Sequence, residues 1–249
     1  MNQSELVTYL DNYLQIAAIS DYGPQGLQVE ATKNDVNKVA LAVDTSPATI
    51  AAAVQWQAGM LLVHHGILWR SVERIAGPLG ERVRLLLNNN IHLYAAHLAL
   101  DAHPEVGNNA VLARMLGMQV DDWWCDVMGT KIGVIGRVDT SLPNLISALN
   151  NNLNTQARAL AHGPSQVRTL AIVSGFGADR VGEAQAMGAD TLLTGETSHA
   201  NYWAASDHGM NVIFAGHYAT ETIGVRALGE HLVNQFGLDV HFFDFPTAM

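Results

Sequence analysis

Short apolar runs alternate with amphipathic segments along the chain, and this alternation constrains the fold more than any other feature. Runs of β-branched residues predict strands, and apolar residues at helical spacing predict the helices between them. Such alternation is typical of βαβ units and a parallel sheet. The predicted strands are residues 39–43, 60–63, 91–96, 132–138, 170–174, 191–194, 212–215 and 240–243. The predicted helices are residues 4–16, 47–57, 80–88, 108–116, 142–149, 179–187, 201–207 and 222–236.

The two halves of the chain share more than this order of elements. The pattern AVQWQAGMLLVHHG matches AQAMGADTLLTGET, and IHLYAAHLALD matches NVIFAGHYATE. Any two βαβ units have similar hydrophobic patterns, but that does not explain why His97-x3-Asp101 and His217-x3-Glu221 fall at equivalent points. We therefore predict an α/β protein with two interlinked α/β lobes related by a pseudo-repeat, mostly parallel sheets flanked by helices, and a metal site between the lobes.

The simplest division assigns residues 1–126 to an N-terminal lobe with His64, His65, His97 and Asp101. Residues 127–249 then form a C-terminal lobe with His217 and Glu221. The sequence leaves open whether the chain crosses between the lobes more than once, because no low-complexity tract or charged linker marks a boundary.

Composition narrows the class of protein. Acidic side chains outnumber basic ones by 23 to 13, which argues against direct nucleic-acid binding through a basic face. A single cysteine, Cys125, excludes an internal disulfide and a multi-thiolate zinc site. No apolar run has the length of a membrane span, and the first residues lack the pattern of a signal peptide, so we expect a cytoplasmic protein without membrane association.

Three clusters of polar side chains follow predicted strands, where ligands gather in parallel sheets. The clusters are His64 with His65, His97 with Asp101, and His217 with Glu221. Imidazole and carboxylate are ligands for Zn, Fe, Mn, Co or Ni. A single cluster of this kind is also typical of a hydrogen-bonded loop, or of an acidic residue in the first turn of a helix. Because all three clusters lie at equivalent strand ends, together they predict metal binding.

Other residues leave alternatives open. Glu196 and His199 lie in the part of the second half that corresponds to His64 and His65. They either orient metal ligands or act as a general acid and base. The alternative without function is a glutamate at the start of a helix and an exposed histidine. Trp69 either packs or stacks on a base, and packing is the favoured interpretation. The sequence contains no GxGxxG or GxxxxGKS phosphate loop and no GxSxG elbow, so those enzyme classes lack support.

A family resemblance rests on three stretches of sequence, which are HHGILW, HLALDAHPEVGNNAVLARMLG and GHYATETIGVRALGEHL. They closely resemble the NIF-three-like dinuclear-metal family, also known as GTP cyclohydrolase I type 2-like proteins. SDYGPQGLQVE and LLTGETSH are similar too, so the resemblance runs from about Ile19 to the C-terminus. The sequence departs from the family pattern at Gly66, where HHP is common, and at Ala96, where a serine is usual. Neither change removes a ligand atom, and both lie where the resemblance implies a substrate pocket, so the family's pocket shape is not carried over to this chain.

The resemblance implies specific roles for these residues. The implied ligands of two metal ions are His64, His65, Asp101, His217 and Glu221, with Glu221 bridging. His97 would line the same site as a weaker ligand or a proton carrier. The family also implies a homo-oligomer, a ring-shaped homohexamer whose metal sites face an internal cavity.

We expect two divalent metal ions per chain, of unknown identity among Zn, Fe, Mn, Co and Ni, and a metal-dependent hydrolase. Paired ions generate hydroxide near neutral pH and clamp the attacking and leaving oxygens. Such water would attack a C–N or P–O centre of a small anionic substrate, with His97 or Glu196 as the catalytic proton carrier. The family resemblance implies a purine nucleotide such as GTP.

Two other classes of function fit the same ligands. A metal-handling or metal-sensing protein, similar to a metallochaperone, would bind the ions without turnover. An interaction scaffold would use the metal only to pin the two lobes together, so chelation would sharply lower its melting temperature.

Overall fold

The computed structural model describes residues 1–72 and 74–247, and the chain forms two compact units. The first unit consists of Met1–Leu100 and Val225–Phe245. The second consists of Asp101–Gly224 with a short stretch that begins at Pro246. The chain therefore leaves the first unit and later returns to it.

A five-stranded sheet forms the centre of the first unit. The elements of this unit are α1 (Gln3–Tyr13), β1 (Gly26–Val29), β2 (Lys38–Asp44), α2 (Pro47–Gln55), β3 (Met60–His65), α3 (Gly77–Asn88), β4 (His92–Ala95) and, from the end of the chain, β11 (Asp239–Phe242). The strand order is β1-β4-β3-β2-β11, in which only β1 is antiparallel to its neighbour. Since β11 pairs with β2, the C-terminal strand belongs to the first unit, and the predicted boundary between residues 126 and 127 differs from this division.

A six-stranded sheet forms the centre of the second unit. Its elements are α5 (Asn108–Met115), β5 (Gln119–Val127), β6 (Thr130–Ser141), α6 (Leu142–Leu153), β7 (Arg158–Ala161), β8 (Gln166–Ile172), α7 (Val181–Ala186), β9 (Thr191–Thr194), α8 (Ala204–Asp207) and β10 (Asn211–Phe214). The order is β5-β6-β8-β9-β10-β7, with parallel pairing only from β8 through β10. This sheet is mixed, whereas the sequence predicted mostly parallel sheets, because a hairpin and an edge strand flank its parallel centre.

Two helices connect these units in the sequence. The short α4 (Leu98–Asp101) ends where the second unit begins, and α9 (His217–Phe236) contains the return to the first unit after Gly224. Among the described residues, no helix combines the length and apolar character that a membrane crossing requires.

The predicted pseudo-repeat is visible in the connectivity of the two sheets. In the first unit the chain runs α1-β1-β2-α2-β3-α3-β4-α4, and in the second it runs α6-β7-β8-α7-β9-α8-β10-α9. The pairing is equivalent as well, since β1 is antiparallel to β4 as β7 is to β10. His97 follows β4 and His217 follows β10, which are the last strands of the two repeats. His65 is the last residue of β3, the central strand of the first sheet.

Apolar packing on these sheets fixes the ends of their strands. β3 is buried along nearly its whole length, and its Leu61 and Val63 belong to the same apolar cluster as Leu93 of β4 and Ile50 of α2. An equivalent core in the second unit contains Leu193 among its buried residues. The candidate functional side chains therefore lie at the ends of buried strands or shortly after them.

Candidate metal centre

His64 and His65 end the central parallel strand of the first unit. The His64 ring is fully buried, and its Nδ1 donates a hydrogen bond to the carbonyl oxygen of Ala96 at 2.8 Å. His65 Nδ1 lies 2.8 Å from Oδ1 of Asp44, at the end of the neighbouring β2. Successive side chains of an extended strand point to opposite faces, yet these ring centroids are only 4.8 Å apart. The two neighbouring rings therefore lie side by side at the end of the strand.

His97 joins the same group from the end of β4. Its Nδ1 lies 2.8 Å from Oδ1 of Asp21, whose side chain is 2 % exposed. Burial by itself would raise the pKa of Asp21, but the hydrogen bond and charge of His97 and the backbone N–H groups of Leu98 and Tyr22 bring it below its ordinary value. Asp21 is therefore an anionic anchor that orients the His97 ring.

The structure thus brings three imidazoles together in the first unit. His64, His65 and His97 each offer a ligand nitrogen within 4.8 Å of the others. Each Nδ1 is directed at an oxygen acceptor, so in the neutral rings the Nε2 atoms carry the lone pairs. Histidines that ligate metals characteristically donate their other N–H to a carboxylate or a backbone carbonyl. The donor set therefore fits a divalent transition metal, and it includes His97, for which the sequence favoured a catalytic role.

In the second unit, His217 and Glu221 lie on successive turns of α9. His217 Nε2 is 3.1 Å from Oε1 of Glu221, and its Nδ1 is 3.0 Å from Oε1 of Glu196, which follows β9. Burial alone would lower the pKa of His217, but the hydrogen bonds and charges of both carboxylates raise it to about 9. A metal ion bound at Nε2 would have to displace that proton, because a ligating imidazole is deprotonated.

The backbone of Gly175 lies directly against this pair. Its φ of +63° favours glycine, and a Cβ added there would lie 2.4 Å from Oε1 of Glu221. Gly175 also donates its N–H to the hydroxyl of Thr220, 3.1 Å away. Only glycine satisfies both the conformation and the close approach.

Asp101 is buried in a hydrogen-bonded group of the second unit. Its Oδ1 accepts from Nδ2 of Asn108 at 2.8 Å and from Oγ of Ser174 at 3.1 Å. Asn108 in turn accepts from the backbone N–H of Gly224 in α9 at 2.9 Å. Ser174 directly precedes Gly175, so the Asp101 group is connected to the backbone that touches Glu221. His199, which the sequence paired with Glu196, lies exposed in a short 3-10 turn.

Sequence reasoning missed the residues that orient the imidazoles. Asp44 follows the predicted strand 39–43, and a polar residue at that strand end was a signal that could have found it. Asp21 lies in a turn-rich segment far from His97 in sequence, and only the fold brings the two together. Ser174 and Asn108 carried no signal of their own.

A family model described as Duf34/NIF3 (NGG1p interacting factor 3) matches residues 1–248. The chain belongs to the DUF34/NIF3 family. This confirms the resemblance that the sequence motifs indicated.

Relatives within the DUF34/NIF3 family cover the full chain. A protein of Deinococcus radiodurans is 43% identical over 251 residues, which span 100% of this chain and 95% of the relative, and one of Pyrococcus horikoshii is 42% identical with complete coverage of both. Both bear the name GTP cyclohydrolase 1 type 2 homolog.

Solved structures within the family share the fold. The structure of protein ybgI, described as of unknown function, matches with a TM-score of 0.93 at 37% identity. A protein of Thermus thermophilus matches with a TM-score of 0.90 at 40% identity. Both matches cover 100% of each chain, so the α/β architecture with two sheets is the family's architecture.

Proposed function

We propose that this protein is a dinuclear metal-binding hydrolase that acts on a small anionic, nucleotide-like substrate. The observation that carries the proposal is the group of three imidazoles whose Nδ1 atoms are all directed at oxygen acceptors. A histidine that only packs in a core does not need two neighbours oriented in the same way. The names of the relatives support a nucleotide as the substrate.

The proposed ligands of the two ions are His64, His65, Asp101, His217 and Glu221, with Glu221 bridging. When bound, such ions supply a water of lowered pKa and neutralise charge on an anionic substrate. Five ligands for two ions leave coordination positions open for water and substrate, as in catalytic sites.

His97 and Glu196 are the proposed proton carriers. Asp21 holds the Nδ1–H of His97, so His97 Nε2 can accept a proton and pass it on while the ring keeps its orientation. The hydrogen bond to Asp21 also stabilises the imidazolium that results. Glu196 lies 3.0 Å from His217 Nδ1, where its carboxylate orients that ring and can exchange a proton with it.

Metal content tests the ligand assignment. Elemental analysis of the wild-type protein after incubation with Zn, Fe, Mn, Co or Ni should give about two ions per chain, as a dinuclear site requires. His65→Ala and Glu221→Gln should each lower that number, whereas the exposed His162→Ala should leave it unchanged. Full metal content in both ligand variants would contradict the assignment.

A hydrolysis screen tests the activity. The metal-loaded protein should hydrolyse at least one member of a panel of nucleotides and phosphoesters, and Glu221→Gln should abolish that turnover while His162→Ala retains it. Metal-loaded protein that is inert across the panel, yet transfers its ions to an acceptor, would overturn the hydrolase and favour a metal-handling protein.

A further inference from the structure

A depression beside the three imidazoles opens within the first unit. It is shallow and open to solvent, and its lining includes His64, His97, Asp21, Gln25, Gln28 and Trp69. Trp69 adds a broad aromatic ring to a wall that contains both polar and apolar residues. Small-molecule sites typically combine an apolar or aromatic surface with a few well-placed polar groups.

The indole of Trp69 contacts two of the imidazoles without stacking on them. Its ring centroid lies 5.3 Å from that of His97 with the planes at 89°, and 6.2 Å from that of His65 with the planes at 52°. The side chain is only half-buried. An aromatic ring of this size usually contributes to a core by being buried. Trp69 instead remains partly open next to the candidate ligands.

The backbone on either side of Trp69 is fixed, so the position of its ring is built into the fold. A Cβ on Gly23 would lie 2.2 Å from the carbonyl oxygen of Leu68 and 3.0 Å from Cα of Trp69, so these segments are in close contact. Arg70 donates its backbone N–H to the carbonyl of Tyr22 at 2.8 Å.

Residues 21–23, which contact the backbone around Trp69, also orient His97. The guanidinium of Arg70 donates to the carbonyl of Asp21 at 2.9 Å, while the Asp21 carboxylate accepts from His97 Nδ1. The loop at residues 21–23 therefore positions both the imidazole of His97 and the indole of Trp69, which flank the depression. A residue that served only to fill space would not need this shared support.

We propose that Trp69 determines substrate specificity by stacking on a planar heteroaromatic ring whose attached anionic group reaches the imidazoles. This inference rests on the proposed function and names the class of substrate for that site. Stacking of a base on an aromatic side chain corresponds to roughly 5- to 150-fold in affinity. The competing role is structural, in which Trp69 only supports the His97 ring.

Equilibrium binding to the metal-loaded protein separates these two roles. The probes are guanosine monophosphate, which carries a ring, and ribose 5-phosphate, which lacks one. The variants are Trp69→Leu, the ring-preserving Trp69→Phe, and the control Trp203→Leu, whose side chain is 64% exposed and contacts Tyr202. Dissociation constants are measured by calorimetry, and the metal content of every variant is determined alongside.

We expect the wild type to bind guanosine monophosphate at least about fivefold more tightly than ribose 5-phosphate. Trp69→Leu should remove this preference without changing the dissociation constant for ribose 5-phosphate. Trp69→Phe should keep most of the preference, and Trp203→Leu should behave as the wild type.

Three results would overturn the inference. Equal weakening of both probes in Trp69→Leu would assign Trp69 a structural role. A wild type that carries metal and binds both probes equally would refute the stacking role while leaving the proposed function intact. A wild type that takes up no metal or binds neither probe would contradict both proposals.

Discussion

The carboxylate of Asp21 holds two parts of the first unit's site at once. One oxygen accepts from Nδ1 of His97, and the other accepts from the backbone N–H of Leu98 at the start of α4. The ring and the helix that follows it therefore share one anionic anchor. Although Asp21 is far from His97 in the sequence, removal of its charge should disturb the orientation of the His97 ring.

We predict that Asp21→Asn lowers the turnover of the metal-loaded protein by about 10- to 100-fold, the usual effect of losing a partner that orients a group at a metal site. The neutral amide no longer stabilises the required orientation and charge of His97. The rate is measured with a substrate identified in the hydrolysis screen. Asp35→Asn, an exposed aspartate in the same unit, is the matched control. Unchanged turnover in Asp21→Asn would show that the anchor is dispensable.

Cys125 is a buried thiol with restricted reactivity. Burial raises its pKa to about 12, against the opposing charge of Arg180. At pH 8 the thiolate population should therefore be about a thousandfold below that of an unfolded cysteine. We predict a correspondingly slower reaction with Ellman's reagent in the native protein than in guanidinium chloride. Equal rates in the two states would refute the buried, protonated thiol.

The sequence predicted the histidines and carboxylates of the candidate metal centre but not the groups that orient them. His64, His65 and His217 follow apolar runs, so their positions at strand ends could be derived from local patterns. Asp21 has no such pattern, because its role depends on the contact between a loop and the end of β4. Contacts of this kind join residues that are distant in sequence, so they depend on the tertiary fold and not on local sequence patterns.

At the scale of elements, local patterns predicted the buried parallel strands and missed the exposed antiparallel ones. β3 and β9 are almost fully buried and contain consecutive apolar residues, which are distinctive in a sequence. β5 is mostly exposed and begins with polar residues, and β7 is short and partly exposed, so neither has that signature. Their antiparallel pairing made the second sheet mixed.

The hairpin between β5 and β6 also lacked its usual sequence signal. Met128 and Gly129 form a two-residue loop with φ values of 55° and 88°, the positive pair that a type I′ turn requires. Asn-Gly is the common sequence for this turn, and Met-Gly is not. The strain of a left-handed methionine increases the dependence of the turn on Gly129.

We predict that Gly129→Ala lowers the free energy of unfolding by about 1–2 kcal/mol. Nothing lies within 4 Å of a Cβ at this position, so the cost comes from the backbone conformation and not from a clash. Urea unfolding measures the change. Lys131→Ala, an exposed substitution in the same hairpin, should stay close to the wild type. A neutral Gly129→Ala would indicate that the turn adopts another conformation at no cost.

At the scale of the whole molecule, the pseudo-repeat was predictable and the division of the chain was not. The repeated His-x3-carboxylate pattern marks equivalent strand ends and can be read directly from the sequence. The return to the first unit occurs within the continuous helix α9, after Gly224, where no linker or break in pattern marks it. Pairing of β11 with β2 is a long-range contact, and this pairing places the C-terminal strand in the first unit.

Metal binding should also stabilise the molecule as a whole, since a ligand that binds only the native state adds its binding free energy to folding. At a free metal concentration a hundredfold above the dissociation constant, the gain is about 2.7 kcal/mol. For a chain of this length we predict a rise in melting temperature of about 5–10 °C, measured by calorimetry with and without a chelator. His65→Ala should reduce that rise, whereas His162→Ala should preserve it. A melting temperature that does not respond to saturating metal would contradict binding to the native state, whichever reaction the site performs.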